Sequence, residues 1–132
     1  MAEAFFNSTT TANITATSAG IKAREEHRVG KLLRDEGPTV TAAMRSFGID
    51  VSAQVPKQLT PKMLGTADVI VWMAGKDTIP DTLKWDTRVR VWDVFDPRNS
   101  GLEETVRVAR DIKRRVTRLQ KDISAFMAEL WR

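Results

Sequence analysis

The sequence predicts an α/β domain built on a parallel sheet. Two apolar runs and one long amphipathic segment carry that expectation. Ala67-Asp68-Val69-Ile70-Val71-Trp72-Met73 is almost continuously apolar, as a strand covered on both faces is. Val89-Arg90-Val91-Trp92 is a shorter second strand whose charge suits an edge position. From Gly101 to Trp131, residues Val106, Ala109, Ile112, Val116, Leu119, Ile123, Phe126 and Leu130 recur at intervals of three and four, which predicts a long helix packed on the sheet.

The other elements follow in chain order. Met1-Ala2-Glu3-Ala4-Phe5-Phe6-Asn7 favours helix from the first residue, with no Ser, Thr, Asp or Asn ahead of it to cap the free N–H groups. A helix end is therefore expected from Met1 to about Thr10, and polypeptide upstream is expected to be missing. Ala12 to Ser18 alternates in the manner of a short strand, with Ile14, Ala16 and Ser18 on one face, closed by Ala19-Gly20. Leu32-Leu33, between Gly30 and Gly37, reads as a brief extended excursion in a charged stretch. Pro38 suits the first turn of a helix and Gly48 its left-handed stop, with Val40, Met44 and Phe47 on one face. Thr60-Pro61 opens a further short helix, Thr60 as cap and Pro61 as first residue.

The chain has 132 residues, the length of one domain, and 42% hydrophobic with 29% charged residues is ordinary for a globular fold. A single domain over 1–132 is expected. There is no apolar run long enough to cross a membrane and no signal-peptide pattern, so the expected location is cytoplasmic. Zero cysteines removes disulfides, thiolate metal sites and thiol catalysis by this chain, and the lone His27 cannot make a metal site. No cofactor is expected. The net charge is +4, yet seven bases against one acid between Arg107 and Lys121 concentrate +6 in one segment.

Six landmarks in order resemble one family. Ala2-Glu3-Ala4-Phe5-Phe6, Ser18-Ala19-Gly20, Gly48-Ile49-Asp50-Val51-Ser52, Pro56-Lys57-Gln58-Leu59-Thr60, Ala67-Asp68-Val69-Ile70-Val71-Trp72-Met73 and Trp92-Asp93-Val94-Phe95-Asp96-Pro97 look like the low molecular weight protein tyrosine phosphatases, with their related arsenate reductases. The resemblance implies a three-layer α/β fold in which a first central strand leads into a Cys-x5-Arg phosphate loop. Neither that strand nor that loop is found in this sequence, so an incomplete, catalytically silent member is expected. In the intact family a phosphocysteine carries phosphomonoester hydrolysis. By resemblance Asp96 is the general acid that protonates the leaving phenolate, Pro97 stiffens its loop, and Ser18 supports the phosphate loop through a hydrogen bond. Implied substrates are a phosphorylated protein or a small aryl phosphate.

Two departures narrow the branch. Arg98-Asn99-Ser100 stand where some members carry a tyrosine pair, and this chain has no tyrosine. Ala74 to Pro80 has none of the extra cysteines of thioredoxin-coupled arsenate reductases. A single-cysteine arsenate transferase stays open if the loop is restored, as does a non-catalytic scaffold or binding protein. Self-association through exposed strand edges is expected of the chain alone.

Other conspicuous residues have plainer readings. The basic helix face lacks interleaved aromatics, and Glu103–Arg107 and Asp111–Arg115 are ordinary i to i+4 pairs, so neither nucleic acid nor membrane is expected as a partner. His27, among Glu25, Glu26 and Arg28, belongs on the surface. Trp72, Trp85 and Trp92 are expected to pack around the sheet.

Overall fold

The computed structural model describes residues 1–10 and 14–130. Helix α1 spans Ala2–Thr9, α2 Leu33–Glu36, α3 Pro38–Arg45 and α4 Pro61–Thr66. Strands β1 (Ile70–Trp72) and β2 (Val89–Val91) pair in parallel, with Ile70 opposite Val89 and Trp72 opposite Val91. Helix α5 runs Leu102–Leu130. The α/β class with a parallel sheet is as the sequence predicts, although each strand is shorter than its apolar run.

Two apolar clusters hold these elements. The larger packs Phe5 and Phe6 of α1, Met44 of α3, Val51, and Val108, Ala109, Ile112 and Val116 of α5. Phe5 meets Phe47 edge to face with ring centroids 5.4 Å apart, the arrangement the ring quadrupoles favour. Gln120 of α5 donates from Nε2 to Thr9 Oγ1 (2.9 Å) and, as a second donor beside the Thr10 N–H, to the Phe6 carbonyl (3.1 Å), so α5 is tied to the end of α1. The smaller cluster gathers Ile70, Trp72 and Leu83 beneath the sheet. There the Trp72 indole N–H reaches Thr78 Oγ1 (2.9 Å) and the Gly75 carbonyl (3.2 Å), and Gly75 itself has φ 94°, a conformation that favours glycine.

Local signals account for the helix ends. Pro38 and Pro61 each sit at a helix start, and Thr60 Oγ1 accepts from the Met63 N–H at 3.3 Å. Gly48 adopts φ 77° after α3, the left-handed stop the sequence predicts.

Four expectations need correction. Residues 11–13 lie outside the described chain, which takes in part of the strand expected at Ala12–Ser18, and 14–18 form no ladder. The backbone there is engaged instead by a side chain: Ala16 N–H donates to Asn7 Oδ1 (2.8 Å) while Asn7 Nδ2 donates to the Ala16 carbonyl (2.9 Å). Only one parallel bridge, Gly20 with Gln58, follows. Leu33 opens a helical turn rather than extended chain, because its N–H and that of Arg34 are taken by the carbonyls of Gln54 and Ser52. Helix α5 packs on α1 and α3, not chiefly on the sheet, and its apolar stripe outruns that cover, leaving Phe126 65% and Leu130 66% exposed. Trp85 is 92% exposed and packs on nothing, whereas Trp72 is buried and Trp92 half-buried.

Candidate active site around Asp96

Asp96 lies in the loop between β2 and α5, beyond the C-terminal end of a parallel strand, where α/β folds place their ligand crevices. The loop is built locally. Asp96 Oδ1 accepts the Arg98 N–H at 3.0 Å, an Asx turn, and Ser100 N–H closes onto the Pro97 carbonyl at 2.9 Å. Arg115 of α5 donates to the Asp93 carbonyl at 3.2 Å and ties the start of the loop to the helix.

The Asp96 carboxylate is open to solvent, its side chain 66% exposed. Arg98 faces it at 3.6 Å and also binds Glu26 at 3.1 Å, and Glu26 lies 3.7 Å from Arg28. This chain of ions couples the acid loop to the segment after Gly20. Phe95, Asp96, Arg98, Asn99 and Ser100 line a shallow depression of about 530 Å³. Its chemistry is that of a proton donor or acceptor beside a guanidinium.

Ser18 is held elsewhere: its hydroxyl donates to Glu3 Oε2 at 2.5 Å. Lys57 Nζ donates to Thr17 Oγ1 at 2.7 Å beside it. Ser18 is thus fixed against the first turn of α1, and among the described residues no hydrogen bond joins it to Asp96. The sequence reading missed Glu3 as the partner of Ser18, and Arg98 and Glu26 as partners of the acid loop. For Arg98 the adjacent Asp-Pro was a usable signal, because the residue two after an Asx acceptor supplies the N–H. Glu26 had none, being 72 residues distant from Arg98.

The perturbed acids lie outside this loop. Hydrogen bonds from the Arg88 side chain hold the Asp86 carboxyl down at about 2. Arg88 also donates to the carbonyls of Leu64 and Ala67, both at 2.9 Å, joining the end of α4 to the sheet. Asp111 is lowered by hydrogen bonds from Arg114 and then Arg115, and Asp50 by those from Ser52. Among the described residues no group of three His, Cys, Asp or Glu side chains could hold a metal, and no helix is long and apolar enough to cross a membrane.

A parallel-stranded α/β domain with an Asp-Pro loop at the strand's carboxyl end is the architecture of a phosphatase-type fold. The family description "Low molecular weight phosphotyrosine protein phosphatase" matches residues 1–128, and the chain belongs to that family. Among solved structures it is similar to one described as "An arsenate reductase in the reduced state", with 28% identity, a TM-score of 0.71, and coverage of 92% of this chain and 86% of that one. A second, "An arsenate reductase in reduced state", shares the fold at 24% identity and a TM-score of 0.66, over 92% of this chain and 86% of that one. A search of the curated proteins found no match.

Proposed function

We propose that this chain carries the acid half of a low molecular weight phosphatase-type site: Asp96 is the general acid, Ser18 supports the phosphate-binding loop, and the sequence holds no cysteine to act as nucleophile. The observation that carries this reading is the solvent-open Asp96 carboxylate on a turn closed by Pro97 and Ser100 in a chain of this family. An exposed carboxylate at a strand end can pass a proton to a leaving oxygen only when a substrate is held within hydrogen-bond reach. With no cysteine anywhere, no phosphocysteine forms, and the chain alone is catalytically silent.

The same site on arsenate is the second reading. It is favoured by the arsenate reductase neighbours and by Arg98 following Asp96-Pro97 in a chain with no tyrosine. A non-catalytic binding protein on the same scaffold is the third reading. The free edge of β1, where the Val71 N–H and C=O make no hydrogen bond among the described residues, makes self-association the expected behaviour of the chain alone.

Extending the chain before Met1 with a relative's strand and Cys-x5-Arg-Ser loop tests the assignment. Hydrolysis of an aryl phosphate should appear, and Asp96→Asn in that background should lower kcat by about 10²-fold or more. Activity unaffected by Asp96→Asn would remove Asp96 from the mechanism, and faster turnover of arsenate with a thiol would select the second reading.

A further inference from the structure

Against the expectation from sequence that nucleic acid is no partner, we propose that the solvent face of α5 docks on the phosphate backbone of double-helical nucleic acid. Arg110, Lys113, Arg114, Thr117, Arg118 and Lys121 line one open groove of about 520 Å³ on that face. Intrachain pairing accounts for only part of this charge. Arg107 is bound by Glu103 and Glu104, and Arg114 and Arg115 share Asp111. Arg110, Arg118 and Lys121 make no ion pair or hydrogen bond among the described residues. Arg110, Arg114 and Arg118 follow one another at i to i+4, where like charges face each other and repel along the helix. Asp111 offsets that repulsion at Arg114 alone, whereas a row of phosphates offsets it along the whole run.

Geometry selects the kind of anion. From Arg110 to Lys121 the ridge is about 16 Å long at 1.5 Å per residue, and a duplex presents one phosphate charge per ~1.7 Å of its axis. No aromatic residue lines the groove, so there is no platform on which single-stranded bases could stack. An anionic membrane fits poorly: at about 100° per residue the exposed Phe126 and Leu130 lie on the far side of the helix from the cations, so a bilayer that took one would turn the other away. The predicted contact is to phosphates only and therefore indifferent to base sequence.

Fluorescence anisotropy with a short DNA duplex of arbitrary sequence tests this on the chain as it stands. Five cations should give a slope of log Kobs against log[salt] of about −4.5 between ~50 and ~200 mM salt. The exposed triple variant Arg110→Ala/Arg118→Ala/Lys121→Ala should keep the circular dichroism of the parent and bring the slope to about −2. Arg107→Ala, one turn earlier and already neutralised by two glutamates, should bind as the parent does. Lys121→Gln alone should lessen the slope by about 0.9 and serves if the triple variant does not fold. Absence of binding at ~50 mM salt, where such contacts are strongest, would overturn the proposal. So would unchanged binding by the variants, or tighter binding of a single strand, a polyglutamate peptide or anionic vesicles than of the duplex.

Discussion

Replacing Phe5 by Ala should remove much of the stability that holds α1 to the rest of the molecule. The ring is 2% exposed, sits in the cluster shared by α1, α3 and α5, and meets Phe47 edge to face. Truncating a buried phenylalanine costs about 3–5 kcal/mol through lost transfer energy and the cavity left behind. The edge-to-face pair contributes about 0.5–1.5 kcal/mol, within that total. Domains of this size have a stability of about 5–15 kcal/mol, so Phe5→Ala should lose about a fifth of it or more. Urea unfolding followed by tryptophan fluorescence reads this as a fall in midpoint at unchanged slope. Phe5→Leu, costing about 1.5 kcal/mol or somewhat more, keeps the comparison measurable if the alanine variant is unfolded in water. Phe126→Ala is the control, because a side chain 65% exposed beyond the packed part of α5 should change stability by no more than about 0.5 kcal/mol. A loss under about 1 kcal/mol for Phe5→Ala, or a larger one for Phe126→Ala, would refute the placement of the core.

Acid should weaken the sheet region through Asp86. Its carboxyl is held at about 2 in the fold against 3.8 as the ordinary value, so its contribution is whole above pH ~4 and is lost as pH falls through ~2. Asp86→Asn should therefore be less stable at neutral pH and show a flatter stability profile across that window in urea melts. Thr60→Ala should cost about 1 kcal/mol by leaving the first turn of α4 without its cap, measured in the same way. Asn7→Ala should release the segment around Ala16, seen as lost hydrogen-exchange protection of the Ala16 amide while the α5 amides keep theirs.

Where a residue's neighbours in sequence determine its environment, the fold was readable in advance. Pro38, Gly48, Thr60 and Pro61 mark helix ends by local sterics and capping alone, and each does so in the structure. The apolar run Ala67–Met73 signalled a strand by burial alone, and its Ile70–Trp72 part forms one. The failures share a cause in tertiary hydrogen bonding. Alternation at Ala12 to Ser18 supplies a strand's pattern but not a partner for it, and the Ala16 peptide group bonds the Asn7 amide instead. The periodicity of α5 reaches Leu130, yet nothing in the periodicity states where α1 and α3 end. The Asx turn at Asp96 was legible through its Asp-Pro context, while the link through Arg98 to Glu26 depends on two loops meeting in space.

The most direct measurement is steady-state hydrolysis of p-nitrophenyl phosphate by the purified chain, with Asp96→Asn alongside. With no sulfur nucleophile in the sequence, the chain should release nitrophenolate no faster than buffer, and the two samples should be indistinguishable. Turnover that scales with protein concentration and falls when Asp96 is replaced would contradict the account, because these residues would then supply the attacking group themselves.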